Sequence, residues 1–354
     1  MKWEDNVRKV IPYVPGEQPN KEKMIKLNTN ECPYPPAPAV EKALREMDMS
    51  EFRLYPDPNI TGLTEGLADY YGLKKEQVFV GVGSDDVLAM AFLTFFNSDK
   101  PILFPDITYS FYDVWADVFK IPYKLCKLQE DWHINPKDYK QENGGVVIAN
   151  PNAPTGLLES LETIEEIIKA NPDVIVIVDE AYVDFGGVSA LPLLDKYENL
   201  LIVQTFSKSR AMAGMRIGYA FGNEKLIKYL NDVKFSINSY TMNKPSQVLG
   251  LEMLKDKAYF EEIVGKIVKT REWTKKELAA LGFTFPDSKT NFIFASHESV
   301  PAKELFEALQ KENIFVRYFN KERLSNSLRI SIGTDEEMQT LVEFVKSYME
   351  ARRK

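Results

Sequence analysis

Cysteine and histidine are nearly missing from this sequence, which carries two of each in 354 residues. Cys32 and Cys126 lie far apart without C-x-x-C spacing, so they offer neither a disulfide framework nor a zinc site and read as buried or idle thiols. His133 and His297 both sit among polar residues. Ser-His-Asp or Cys-His catalysis would have little to draw on, and no metal site is expected. Positive charge is in deficit, with 44 Lys and Arg against 52 Asp and Glu, and it forms no stripe that could track a phosphate backbone. No apolar stretch approaches the ~18 residues of a membrane span, and Lys2-Trp-Glu-Asp5 does not open an apolar leader. A cytoplasmic protein is expected, with no nucleic-acid or membrane partner. Lysine, aspartate, tyrosine and arginine are left to do chemistry on a small molecule.

What is present is enough apolar residue, 44% of the chain, to bury a sizeable core. Residues 1–40 are rich in proline and turn formers and read as an extended arm laid over the rest. From 41 to 243, short apolar runs (Pro101–Phe104, Ile121–Leu125, Val146–Ala149, Val174–Val178, Leu201–Val203) alternate with helical patterns around Ser84–Phe96, Ser110–Phe119 and Leu161–Ala170. That alternation predicts an α/β unit with a large, mainly parallel sheet. From 244 to 354 the pattern predicts a smaller α+β domain: one long helix over Lys244–Leu281, a strand at Asn291–Ala295, a helix at Ala302–Glu312, strands near Ile314–Arg317 and Leu328–Ile332, and a terminal helix.

Four segments carry chemistry. The run Val174-Ile-Val-Ile-Val-Asp179-Glu180-Ala-Tyr182 puts an acid at the carboxyl end of a buried strand, where α/β folds hold ligands. Leu201-Ile-Val-Gln-Thr-Phe-Ser207-Lys208-Ser209-Arg210 puts a lysine at the end of another, with Arg216 following as a phosphate clamp. Lys208 is therefore a candidate imine-forming amine, and Ala211, Ala213 and Gly214 are small enough for a close backbone approach. Gly81-Val-Gly83-Ser84-Asp85-Asp86 opens a helix, with Ser84 as its expected N-cap and an anion site at its first N–H groups. Asp86 stands where a third glycine would complete a dinucleotide fingerprint, which argues against that fold. Asn150-Pro-Asn152-Ala-Pro-Thr-Gly156 presents amides at a third strand end. Each segment alone is an ordinary strand end or turn; sharing one sheet edge makes them a site.

Together these segments resemble the pyridoxal-phosphate (PLP) aminotransferases of fold type I over essentially the whole chain. Within them the sequence is most similar to the histidinol-phosphate aminotransferase family, through Asn6-Val-Arg-Lys-Val-Ile-Pro-Tyr13, Lys26-Leu-Asn-Thr-Asn30-Glu31, Arg53-Leu-Tyr-Pro-Asp-Pro58 and Leu328-Arg-Ile-Ser-Ile-Gly-Thr334. The resemblance implies pyridoxal 5'-phosphate as cofactor and Lys208 as its Schiff-base lysine and catalytic acid-base. It places Asp179 on the pyridine nitrogen, Tyr182 on the ring's phenolic oxygen and Tyr109 on the ring face. The cofactor phosphate falls to Ser84 and Asp85 backbone groups, Ser207 and Arg216, with Tyr55 arriving from a second subunit, so a homodimer with shared active sites is implied. Arg329 and Arg317 are assigned to the substrate's anionic end and Tyr13 to its cover, the substrates being a phosphorylated amine and 2-oxoglutarate. Where the family has an asparagine just before Pro-Thr-Gly, this chain has Ala153. Either Asn152 swings in to the ring oxygen or Tyr182 contacts it unaided.

The same residue set also suits threonine-phosphate decarboxylase and aromatic or general amino-acid aminotransferases. A PLP-binding regulator would need a DNA-binding domain, for which there is no room before Tyr13.

Overall fold

The computed structural model describes residues 2–21 and 23–352. Its elements in chain order begin with β1 (Ile25–Lys26), α1 (Pro38–Arg45), α2 (Thr61–Tyr71), β2 (Val78–Gly81), α3 (Ser84–Phe95), β3 (Ile102–Pro105), α4 (Tyr112–Phe119), β4 (Tyr123–Cys126), β5 (Gly145–Ala149), α5 (Leu161–Ala170), β6 (Val176–Asp179), β7 (Leu200–Thr205) and β8 (Gly218–Gly222). They continue with α6 (Glu224–Ile237), α7 (Lys244–Lys255), α8 (Lys257–Ala280), β9 (Phe283–Thr284), β10 (Phe292–His297), α9 (Ala302–Lys311), β11 (Ile314–Phe315), β12 (Arg317–Tyr318), β13 (Ser327–Ser331) and α10 (Asp335–Arg352).

Seven strands form one sheet in the order β2-β8-β7-β6-β5-β3-β4. Neighbours from β7 to β4 run parallel, and β8 runs antiparallel to both β7 and β2. The β-branched runs sit here because both faces are covered. Val146, Ile148, Val176, Val178, Leu200 and Ile202 point into one apolar cluster, while Val147, Ile177, Leu201 and Val203 point into the cluster on the opposite face. Full burial of each such side chain contributes roughly 1.5–3 kcal/mol. The covering helices are amphipathic: in α5, Ile164, Ile167 and Ile168 are buried on one stripe, and Ser160 caps the first turn by accepting from Thr163 N–H at 3.2 Å.

A second sheet, β12-β13-β10-β9, is antiparallel and has its own apolar cluster, which takes in residues of α8, α9 and α10. The arm joins this side, since β1 pairs in parallel with β11.

Three expectations are corrected. The single helix over 244–281 is two helices: Asp256 leaves helical geometry (φ −94°, ψ 69°) and caps the second by accepting from Tyr259 N–H at 3.1 Å. The segment 121–125 is not a buried strand; β4 is a sheet edge with Tyr123, Lys124 and Leu125 exposed. Ser84 is the first helical residue of α3, and Gly83 is its N-cap.

Candidate active site

The carboxyl ends of β5, β6 and β7 surround a cavity of about 100 Å³, bordered by Ser84, Asp85, Tyr109, Asp179, Tyr182, Ser207, Lys208 and Arg216. At its base Asp179 ends β6 almost fully buried, accepting from the Tyr112 hydroxyl at 2.7 Å and from Ala181 N–H at 3.2 Å. Burial pushes its carboxyl up to about 6; the Tyr112 and Ala181 bonds and Lys208 oppose that, and Asp85 adds to it. Tyr112, whose own hydroxyl burial pushes well up, stays a donor. The site thus holds a carboxylate that lacks a full counter-charge, which a protonated ring nitrogen would supply.

Lys208 follows β7, with Nζ donating to the Thr29 carbonyl at 3.3 Å and lying 5.8 Å from the Tyr182 ring centroid. On the side of β8, Arg216 adopts a left-handed conformation (φ 53°) and turns its guanidinium toward Asp85 Oδ2 at 3.3 Å, Ser207 Oγ at 3.5 Å and the Ala213 carbonyl at 3.3 Å. Two glycines make this cradle. A Cβ on Gly83 would stand 2.5 Å from Arg216 Nη2, and one on Gly218 would stand 2.2 Å from Gly83 C and Ser84 N. The close approach is therefore at Gly218; a Cβ on Gly214 would meet nothing within 4 Å. Because α3 has no side-chain cap, its first N–H groups, Arg216 and Ser207 converge on a place suited to a phosphate. An amine, a buried acid opposite and an anion cradle between them fit a phosphorylated pyridine aldehyde.

The second sheet meets the site at Tyr182, whose ring lies edge-on to Phe292 of β10 at 5.1 Å. Arg317 and Arg329 face each other in the β12–β13 register, and both guanidiniums lie over the Phe319 ring, at 5.4 and 5.6 Å. Arg329 donates from Nη2 to the Asn28 carbonyl at 3.0 Å, its buried Nε has no partner among the described residues, and burial pushes the group down from its usual range. An outer cavity of about 770 Å³ is bordered by Tyr13, Tyr109 and Arg317, with Tyr13 stacked on Phe111 at 4.1 Å.

Three expected site residues stand differently. Asn152 does not border the cavity: its Nδ2 donates to the Ile107 carbonyl and Thr155 Oγ1, both at 3.0 Å, and its Oδ1 accepts from Thr108 at 2.9 Å. Its amide is consumed in shaping the loop. Asp85 brings its side chain as well as its backbone, accepting from the Tyr109 hydroxyl at 2.8 Å. Tyr55 does not border its own chain's cavity; it is 82% exposed and stacked on Tyr240.

Sequence reasoning gave no role to Tyr112 or to the segment Asn28-Thr29-Asn30. Those three consecutive residues touch Arg329, Lys208 and Tyr182 in turn. The signals were there: Tyr112 lies in the same run as Tyr109, and the segment is part of the Lys26–Glu31 motif.

Comparison with known proteins agrees with this geometry. Residues 22–345 match the model of the family described as aminotransferase class I and II. The chain is 51% identical to a histidinol-phosphate aminotransferase of Clostridium botulinum (strain Okra) over 97% of each chain. It is also 51% identical to one of Lactococcus lactis subsp. cremoris (strain MG1363), over 100% of this chain and 99% of the other. Among solved structures, a putative histidinol-phosphate aminotransferase from Erwinia carotovora atroseptica superposes with TM-score 0.86 at 25% identity, covering 93% of this chain and 97% of that one. The Sinorhizobium meliloti histidinol-phosphate aminotransferase in complex with pyridoxal-5'-phosphate has the same fold, with TM-score 0.83 at 23% identity over 92% of this chain and 91% of that one. With a family model spanning most of its length and relatives sharing half its residues end to end, this chain belongs to the class I and II aminotransferases.

Proposed function

We propose that this aminotransferase moves the amino group of L-histidinol phosphate to 2-oxoglutarate, in histidine biosynthesis, with pyridoxal 5'-phosphate held on Lys208. The observation that carries the substrate assignment is the opposed pair Arg317 and Arg329, which have no carboxylate among the described ion pairs. Like charges placed opposite on neighbouring strands repel, so the pair suits a ligand that brings two negative charges. A phosphate monoester does so, and so does the dicarboxylate 2-oxoglutarate.

When bound, the cofactor supplies an electron sink for the pair left at the donor carbon. The chain's residues do the rest. Lys208 Nζ would hold the cofactor through its aldehyde carbon and, once the substrate amine takes that place, would carry the proton from the donor carbon to the cofactor's former aldehyde carbon. The buried Asp179 carboxylate, short of a counter-charge, would favour a protonated ring nitrogen, and Tyr112 fixes its orientation. The α3 N-terminus, Ser207 and Arg216 would bind the phosphate, while Tyr109 would cover the ring face and Tyr182 would meet the ring oxygen. Tyr13, already stacked over the outer cavity, excludes water there.

We assign Tyr55 to the cofactor phosphate of a second copy in a homodimer, a reading supported by its exposure and by the exposed apolar arm residues Trp3, Ile11 and Val14. Two free cysteines suit a reducing cytoplasm.

The test is an amino-donor panel with 2-oxoglutarate as acceptor, comparing histidinol phosphate, phenylalanine and threonine phosphate while carbon dioxide is monitored. Histidinol phosphate is expected to give the highest kcat/KM with no gas released. Preference for phenylalanine would replace this reading by a general amino-acid aminotransferase, and carbon dioxide from threonine phosphate by a decarboxylase.

A further inference from the structure

We infer that Asn30 is a positioning residue that aims the Tyr182 hydroxyl proton into the cavity, through a one-way hydrogen-bond chain from Ser331 to Asn30 to Tyr182. The inference rests on the cofactor reading above and deepens it.

Asn30 lies just past β1 in a left-handed conformation (φ 58°), with 1% of its surface exposed. Its backbone is spoken for: its N–H donates to Ser331 Oγ at 2.9 Å, and its carbonyl accepts from Asn291 Nδ2 at 2.9 Å. Ser331 is buried on β13, so its hydroxyl proton needs an acceptor, and Asn30 Oδ1 is 2.9 Å away. That occupies the oxygen end of the amide. The nitrogen end then faces Tyr182 Oη at 2.9 Å. An amide N–H only donates, so Tyr182 is the acceptor in this contact and its own proton points elsewhere, toward the cavity it borders. Turning the amide round would set Nδ2 and the backbone N–H of Asn30 both against Ser331 Oγ and strand a buried hydroxyl proton.

This polarity matters because no side-chain amide among the described residues borders the cavity. Ala153 borders it with a methyl group, and the amide of Asn152 is engaged in its own loop. Tyr182 is thus the donor available to a ring oxygen on that side. A donor onto a phenolic oxygen spreads its negative charge and weakens its hold on the adjacent imine proton, so the cofactor's visible absorbance titrates at lower pH. The other titratable groups facing Tyr182 are Lys208, whose Nζ lies over its ring, Arg329 from β13, and Tyr109 and Tyr112 from the segment around the start of α4. Ser331 is two residues beyond Arg329, so the strand that binds the substrate anion also anchors this chain.

The readout is the pH midpoint of the visible absorbance of the substrate-free holoenzyme. Asn30→Asp keeps an acceptor for Ser331 but replaces the donor by an oxygen that draws the Tyr182 proton away from the ring. An upward shift of about one unit is expected. Tyr182→Phe should shift it in the same direction by a similar amount, and Ser331→Ala made in that background should add nothing, because both act through one interaction. Ser331→Ala adds no charge and only frees the amide to turn; it should shift the midpoint upward by a smaller amount. The inference is overturned if Tyr182→Phe moves the midpoint while Ser331→Ala leaves it at the wild-type value, whatever the charged variant does. If Tyr182→Phe itself leaves the midpoint unmoved, the contact of Tyr182 with the cofactor is wrong and this inference falls with it.

Discussion

The two sides of the cavity solve opposite electrostatic problems. On the large sheet, Asp179 is a buried acid held by two donors and short of a cation. On the small sheet, Arg329 is a half-buried cation with a buried Nε, opposed by Arg317 and short of an anion among the described residues. Their support also differs. Asp179 and Lys208 end or follow strands buried on both faces, whereas Arg317 belongs to a two-residue edge strand beside an exposed arm. On the proposed reading, a rigid floor that completes its charge with a resident cofactor faces a roof that completes its charge with whatever substrate is present. Such a division lets one roof accept, in alternation, a phosphate monoester and a dicarboxylate.

The sharpest break of that comparison is Lys208→Ala. It should leave the roof intact and lower turnover by at least about 10⁴-fold, with borohydride no longer fixing cofactor to the chain, as mass spectrometry would register. A second lysine taking the label would reassign the floor.

Next is Asp179→Asn, read as stability against pH in the cofactor-free protein. The folded carboxyl titrates near 6 rather than at its ordinary 3.8, so folding favours its protonated form. Its contribution is neutral below the unfolded value, becomes unfavourable as pH rises from about 4 to about 6, and stays so above. The variant should therefore be more stable than wild type above pH 6, by up to roughly 3 kcal/mol, and equal to it near pH 3. Thermal melts across that window check the sign; a variant less stable at pH 7 would mean that Asp179 already has its counter-charge without cofactor. The same change should cost far more turnover than Tyr182→Phe, because a neutral ring is a poor sink.

The roof is tested by Arg329→Lys and Arg317→Lys, which keep charge and remove the fork. Each should cost roughly 1.5–3 kcal/mol in kcat/KM for histidinol phosphate. With an amino acid lacking phosphate, only the Arg329 variant should lose activity. Equal behaviour of the Arg317 variant toward both donors would remove the phosphate from the reading.

The smallest effect expected is for Tyr55→Phe, a loss of about 1 kcal/mol in cofactor affinity, measured by fluorescence titration of the reconstituted protein. Wild-type affinity would argue that the second copy contributes nothing to the floor.

The strand ends of the floor were legible in the sequence; the facing of the two roof arginines was not. An apolar β-branched run that stops at Asp179, or shortly before Lys208, marks a strand end by local pattern alone, and the parallel sheet aligns such ends. The failures came where a side chain had two possible partners. Asn152 was a candidate for the ring because it follows a strand, yet Ile107, Thr108 and Thr155 satisfy its amide first. Asp256 sits inside a continuous helical pattern, and only its capping bond to Tyr259 shows that two helices meet there.

By itself, then, the sequence determined the strand–helix alternation and the polar segments that follow the strands, because each depends on residues within one or two turns of chain. Tertiary structure alone decided which groups face each other: Arg317 opposite Arg329, Tyr112 on Asp179, and Asn30 between Tyr182 and Ser331, 152 and 301 positions away. Hydrogen-bond direction and charge pairing depend on those distant partners, and neither leaves a periodic trace in the chain.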